Sequence, residues 1–239
     1  KLISVPQPIS MTFATSPGEG RIETLHDAVK SVINQVDIVR IYWNRYSIYQ
    51  LPDWAHHRKI SNMVGGADLT DNGKFRFVED CYYGELYLTG DDDIIYPPNY
   101  AAMTREWLMR YPVVCYHGRI LNDTELAGES YYKGGHYVYS FVNTFLDGRM
   151  VDVPGTGVMG FRTDKFRPVK LWRREPKKMA DLIMGLQCAE DRVKIWCAPH
   201  AQGWIRPNDY RHRQSIAIEA QNLDQSKHCE IVKRILLLK

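Results

Sequence analysis

No run of about eighteen apolar residues occurs anywhere in this chain, so its composition holds no membrane-spanning helix. The N-terminal Lys-Leu-Ile-Ser-Val-Pro has no long apolar stretch and does not read as a signal peptide. A starting Met is also missing, so the chain reads as a processed or truncated piece of something longer. Cysteines are few, and none of Cys81, Cys115, Cys188, Cys197 and Cys229 stands in a CxxC pair. Scattered through apolar segments, they predict reduced, buried thiols and a cytoplasmic setting. Charge of one sign is lacking too: a net +3 is too small to argue for nucleic acid or an anionic membrane surface. Internal repeats and low-complexity stretches are absent. What remains is a globular composition, 44% hydrophobic and 25% charged, in a chain long enough to bury a substantial core.

Hydrophobic periodicity lays out the first half clearly. Ile9, Met11 and Phe13 alternate with smaller residues as a strand would, ending in the loop signal Ser16-Pro17-Gly18-Glu19-Gly20. Ile22, Leu25, Val29, Val32 and Ile33 then recur at helical spacing. Strands are expected at 37–43, 59–64 and 85–89. A helix is expected from Asn72 with Phe75, Val78 and Tyr82 on one face. Pro97-Pro98 opens another, carrying Tyr100, Met103, Trp107 and Leu108. This alternation predicts an α/β fold with a mainly parallel, doubly wound sheet and ligands at the carboxyl ends of its strands. The second half is less regular: a strand over 113–121, a polar tyrosine- and glycine-rich loop over 122–135, and strands at 158–162 and 194–198. Between those last two lies a helix bearing Met179, Leu182, Ile183, Leu186 and Ala189. Residues 216–239 form an amphipathic helical tail that caps the domain, dimerises, or leads into a further one.

Asp91-Asp92-Asp93 is the feature packing does not explain. Three adjacent carboxylates repel one another, and these follow the apolar run Leu86-Tyr87-Leu88-Thr89, where a strand end would bind ligand. Oxygen donors of this kind suit Mg²⁺ or Mn²⁺, which take one or two carboxylates and leave other positions for phosphate and water. A solvated acidic turn before the helix at Pro97 is the plainer alternative. An EF-hand is excluded, because the glycine and final glutamate are missing at the required offsets.

Thr89-Gly90-Asp91-Asp92-Asp93-Ile94-Ile95-Tyr96-Pro97-Pro98-Asn99-Tyr100 resembles the acidic metal motif of GT-A-fold glycosyltransferases. Within them the likeness is to the large inverting family (family 2-like), among its small soluble bacterial or viral polysaccharide-building members. Phe13-Ala14-Thr15 and Arg21 through Gln35 are similar to that family's first strand and helix. Gly66-Ala67-Asp68 and Gly73-Lys74-Phe75 are similar to the segment that contacts the base and leads to the metal. Met179-Ala180-Asp181-Leu182 stands where the family places its catalytic acid, and Pro199-His200-Ala201-Gln202-Gly203-Trp204 resembles its closing segment. The resemblance spans 9–204 and implies a GT-A domain over 1–215, with a donor half at about 1–112 and an acceptor half at 113–215. Two features depart from it. Gly90 replaces an expected acid, and the Gln-x-x-Arg-Trp signature of processive synthases is missing, so transfer of one or a few sugars is implied.

On this reading Mn²⁺ or Mg²⁺ rests on Asp93, with Asp91 second, and His200 is either a third ligand or a histidine bonded to nearby backbone in a turn. The metal neutralises charge developing on a leaving diphosphate. Asp181, near a helix start whose dipole favours its ionised form, is the base for an inverting transfer; without the resemblance it is an ordinary first-turn aspartate. Thr15, Arg21, Asn44, Asp68, Lys74, Asp91 and Asp92 are the candidates for holding a nucleotide-sugar donor, with UDP favoured. Tyr131, Tyr132, His136 and Trp204 are candidates for the glycan acceptor, since sugar faces favour aromatic rings, as cores also do. A homo-oligomer or additional domains stay open as partners. Gly155-Thr156-Gly157-Val158-Met159-Gly160 fits GxGxxG but lacks the following helix that binds pyrophosphate, and reads instead as a close backbone approach to the ligand cavity. His56-His57-Arg58-Lys59 and Tyr210-Arg211-His212-Arg213 read as solvated basic patches.

Two other classes compete. A sugar-phosphate nucleotidyltransferase would use the same metal chemistry but wants a glycine-rich basic loop after the first strand, and residues 16–21 supply only one cation, Arg21. A non-catalytic sugar-binding domain of a larger protein is the third reading.

Overall fold

A computed structural model of the chain describes residues 7–122, 131, 136–208 and 226–239. The first strand, β1 (Ile9–Thr15), leads through Gly20, whose φ of 66° favours glycine, into α1 (Arg21–Val32). β2 (Ile38–Asn44) and β3 (Ile60–Gly65) follow, then a 3₁₀-helical segment Thr70–Glu79, β4 (Leu86–Gly90), β5 (Ile94–Ile95) and α2 (Tyr100–Leu108). The second half holds β6 (Val113–Cys115), β7 (Gly118–Ile120), β8 (Tyr137–Tyr139), β9 (Arg149–Val151), β10 (Val153–Pro154) and β11 (Val158–Arg162). It closes with α3 (Ala180–Glu190), β12 (Ile195–Cys197), β13 (Arg206–Pro207) and α4 (Ser226–Leu237).

The main sheet has eight strands in the order β3-β2-β1-β4-β11-β6-β12-β9. β3, β2, β1, β4, β6 and β12 share one direction, and β11 and β9 oppose it. This is the mixed, mostly parallel sheet flanked by helices that the element order predicts. Strand alternation divides the core in two. Met11, Phe13, Val39, Ile41, Leu86 and Leu88 face α1 and α2, where Leu25, Val29, Tyr100 and Leu108 cover them. Tyr87, Met159, Phe161, Val113 and Cys197 face the other way, against Phe75 and Phe77 of the 3₁₀ segment and against Leu182, Ile183 and Leu186 of α3. α4 joins that second layer through Ile231, Val232 and Ile235, and Arg234 pairs with Glu190 at 2.9 Å.

Three local expectations change. The helix expected from Asn72 is 3₁₀, in keeping with Asn72 and Gly73 being weak helix formers, and Gly73 lies so close to Tyr42 that a Cβ there would meet the ring at 2.6 Å. Tyr82, expected on its buried face, lies beyond its end and is exposed. The strand expected over 113–121 is two, since β7 leaves the main sheet to pair with β10 and β8. Most of the loop at 122–135 and the first part of the tail, 216–225, lie outside the described residues.

Beneath the sheet sits a buried polar cluster. Glu85 Oε1 accepts from Ser10 Oγ and from Arg40 Nη1, each at 2.5 Å, and Oε2 accepts from Arg40 Nη2 at 3.2 Å. Removing one partner of such a pair leaves an uncompensated buried charge. Glu85→Ala is therefore expected to destabilise the fold by about 3–5 kcal/mol in urea unfolding, against ~1 kcal/mol for Ser10→Ala. Equal effects would contradict a buried ion pair at this position.

Candidate active site

The chain leaves β1 toward β2 on one side, while β4 pairs on the other side of β1. That divergence opens a crevice at the carboxyl ends of β1 and β4, the place where open α/β sheets bind ligands. Thr15 ends β1 there, Arg21 begins α1, and the triplet follows β4. Gly90, standing where an acid is expected, has a steric cause: a Cβ would lie 2.5 Å from Phe13, 2.6 Å from Met11 and 2.7 Å from the Tyr96 hydroxyl.

The three aspartates go to three different environments. Asp92 is buried, accepting from Thr15 Oγ1 at 2.6 Å and from Arg21 Nη1 at 2.7 Å. Asp91 takes the ammonium of Lys74, whose side chain reaches it fully buried from the 3₁₀ segment. The Asp91 amide donates to Tyr96 Oη at 3.0 Å, and that hydroxyl donates to the Gly157 carbonyl at 2.7 Å. Asp93 is exposed, and its carboxylate makes no hydrogen bond or ion pair among the described residues. Its backbone carbonyl accepts from the Asn208 amide at 2.7 Å.

Electrostatics follow this arrangement. Protein crowding, then the Asp91 and Asp92 charges, push Asp93 up to about 7, although solvent still reaches it. Burial raises Asp92, with Arg21 opposing. Burial works against the charges of Lys74 and Arg21, but the carboxylates around each outweigh it and hold both above their ordinary values. Both cations therefore stay charged.

Facing the triplet is Asp181, in the first turn of α3. Its Oδ1 accepts from the Thr156 amide at 2.8 Å and from Thr156 Oγ1 at 2.7 Å, and Oδ2 lies 3.8 Å from Arg119. Thr156 belongs to the 155–157 loop before β11, and its carbonyl accepts from Thr89 Oγ1 of β4 at 2.6 Å. A Cβ on Gly157 would stand 2.0 Å from Asp91 Oδ2, and one on Gly155 would stand 2.7 Å from His117. The GxGxxG segment is thus a close backbone approach joining the Asp91 and Asp181 sides, without a dinucleotide-binding helix behind it.

Four residues of this site escaped sequence reasoning. Asp71 Oδ2 accepts from the Ala180 amide at 3.0 Å and so fixes the start of α3; burial raises its pKa, with Lys74 opposing. Thr156 orients Asp181 as described. Arg119 lies over the Tyr131 ring at 5.3 Å, and Tyr131 packs on His136 with centroids 5.2 Å apart. His117, pushed down to about 4 by burial and then by Arg119, completes this wall. The visible signal for the last two was the polar His117-Gly118-Arg119 interrupting an apolar strand pattern.

Other candidates are placed differently. Asn44 is buried, its amide donating to the carbonyls of Thr15 at 3.1 Å and Thr70 at 3.0 Å and its oxygen accepting from the Leu69 amide at 2.8 Å. It clasps two strand-end segments and presents nothing outward. Asp68 lies at the same sheet edge, 3.2 Å from Arg45. His200 stands 3.1 Å from the Ala198 carbonyl and 3.4 Å from that of Ser140, and among the described residues no three His, Cys, Asp or Glu side chains gather as a metal cluster. The trio Asp93, Asp91 and His200 is therefore not assembled, because both His200 ring nitrogens face backbone oxygens. Trp204 packs against Tyr100 and Tyr116 and donates to Asn99 Oδ1 at 3.0 Å, on the α2 side. Tyr132 lies outside the described residues.

The raised Asp93 value belongs to the folded state, so this carboxyl contributes stability below its unfolded pKa that is lost as pH rises through about 7. In carboxyl-selective NMR the Asp93 signal should titrate near that pH, and Asp91→Asn should move the midpoint down. A midpoint in the ordinary aspartate range would remove the coupling.

No family model matches the sequence, and no curated protein matches it. Solved structures do resemble it in fold. A 4-diphosphocytidyl-2C-methyl-D-erythritol synthase superposes with a TM-score of 0.52 at 12% identity, covering 98% of this chain and 100% of that one. The enzyme of that name from Anaerococcus prevotii DSM 20548 gives 0.50 at 10% identity, covering 98% and 99%. A nucleotidyl transferase from Methanothermobacter thermautotroptrophicus gives 0.52 at 12%, covering 97% and 99%. At these identities the likeness speaks to architecture alone: the chain has a Rossmann-like α/β fold shared with these structures.

Proposed function

We propose that the chain is a glycosyltransferase that moves a sugar from a nucleoside-diphosphate sugar to a hydroxyl of a glycan acceptor, with inversion. The observation that carries this reading is Asp181: a carboxylate fixed by Thr156 across from the acidic triplet, with one oxygen left beside Arg119. A nucleotidyl transfer needs no base there, since its phosphate nucleophile carries no proton to remove, and would use such a carboxylate only to hold metal. Uridine is the base favoured by the sequence resemblance.

Asp68, Thr15, the triplet and Thr156 follow one another along the carboxyl edge from β3 to β11. At about 4.8 Å per strand this edge runs for ~19 Å, which lets base, ribose, diphosphate and sugar each lie over successive strands. Asp91 and Asp93 offer the oxygen donors that Mg²⁺ or Mn²⁺ accepts, and Asp93 has no ion-pair partner among the described residues. When bound, the ion would neutralise charge on the leaving diphosphate. Arg21 keeps N–H donors beyond the one given to Asp92 and adds positive charge on the same side. Asp181 takes the acceptor proton as the hydroxyl attacks the anomeric carbon, and Arg119 lies beside its second oxygen. Tyr131 and His136 line the side from which the acceptor enters.

Nucleotidyl transfer is the second reading, supported by the fold neighbour that is named a nucleotidyl transferase. Two assays separate them. Asp181→Asn should lower kcat for nucleotide-sugar consumption by roughly 10²–10⁴-fold with donor affinity unchanged by calorimetry, and Asp93→Ala should abolish metal-dependent donor binding. Pyrophosphate release from a nucleoside triphosphate and a sugar phosphate, with no turnover of nucleotide sugars, would decide for the second reading.

A further inference from the structure

β6 and β12 run parallel to β4, and β11 runs against it. The starts of β6 and β12 and the end of β11 therefore lie at the sheet edge opposite the acidic triplet. An open depression of about 490 Å³ lies there between the ends of α2 and α3. Arg110, Arg162, Lys165, Arg192 and Lys194 line it, together with Tyr111 and Met150.

Arg162 is neutralised by Asp164 through hydrogen bonds of 3.1 and 2.8 Å. The other four cations are exposed and form no ion pair among the described residues, so they make a positively charged surface patch. Asp191, the carboxylate next to Arg192, accepts from Gln187 at 2.8 Å instead. These four charges exceed the net +3 of the whole chain. Helix dipoles do not account for them: α2 and α3 both end here, and each C-terminus carries roughly half a negative charge, about one charge against four.

Arg192 is held at the rim of the depression by the end of α3. The Val193 amide donates to the Cys188 carbonyl at 2.8 Å, the closing bond of a helix C-terminus that favours glycine at the residue before it. Arginine holds that position at φ 55°. Tyr111 is fixed as a wall by stacking on Trp196, with centroids 4.5 Å apart and planes 9° apart.

We propose that this depression binds a phosphate-bearing anion, with Lys165, Arg192 and Lys194 donating to the phosphate oxygens and Tyr111 and Met150 receiving the apolar part. The site stands apart from the transfer chemistry proposed above and does not rest on it. Phosphate chemistry of this kind comes either from a soluble phosphorylated metabolite or from a phospholipid headgroup.

Calorimetry of the full chain with inorganic pyrophosphate in chelator tests the proposal. Binding should weaken roughly tenfold for each cation removed in Lys165→Gln, Lys194→Gln and Arg192→Gly. Arg192→Gly should keep or raise the melting temperature, so that its loss of binding is not a loss of fold. Sedimentation with phosphatidylcholine vesicles, with and without phosphatidic acid, separates the sources: uptake only by acidic vesicles, lost in the double lysine variant, assigns a headgroup, whereas pyrophosphate binding without vesicle uptake assigns a soluble ligand. No binding to either probe would overturn the proposal. So would binding unchanged by these variants, or abolished by Arg21→Gln in their place.

Discussion

Three neighbouring carboxylates at one strand end repel strongly: two like charges 4 Å apart cost about 4 kcal/mol at the effective dielectric of a protein surface. The fold resolves this by division. Asp92 turns inward to Arg21 and Thr15, Asp91 meets Lys74, and Asp93 alone keeps an open carboxylate. Each partner depends on a larger element. Arg21 is in reach because α1 starts immediately after Gly20, and Lys74 because the 3₁₀ segment passes beneath Tyr42 at a glycine. The acidic edge is an outcome of where these two cations are delivered.

The antiparallel strand β11 does the complementary work. Because it opposes β4, its beginning lies at the edge where β4 ends. Thr156 therefore touches both sides, accepting from Thr89 through its carbonyl and donating twice to Asp181. An all-parallel sheet would have put the start of that strand at the far edge and left Asp181 without this tether. The basic depression at the far edge obeys the same geometry in reverse, gathering strand starts and helix ends.

Much of this was legible in the residues. Alternation in β1, β2 and β4 and the helical spacing of α1 and α2 gave the first half, since each element buries one apolar face by local pattern alone. The triplet announced itself because nothing in packing favours it. The second half was harder for a physical reason: β7 to β10 are two or three residues long, too short to show a period, and are held by long-range pairing. For His200 the sequence left a metal ligand and a backbone-bonded turn histidine both open, and its ring nitrogens lie near the Ala198 and Ser140 carbonyls, which no spacing rule reveals. Asn44 likewise stood at the right strand end, but its capacity is taken by backbone groups. Asp71 was invisible because its partner, the amide that opens α3, lies 109 residues away.

That separation bears on how the molecule comes together. Thr15 reaches Asp92 across 77 residues, Thr89 reaches Thr156 across 67, and Asp71 reaches Ala180 across 109. Contacts of such high order carry a large loop-closure entropy and form late. The β-α units of the first half can collapse on neighbours in sequence, but Asp181 is not placed until β11 and α3 have docked. The crevice side built on β1 and β4 and the carboxylate side carried by α3 are thus joined by contacts that span most of the chain, so neither half of the sequence holds the arrangement alone.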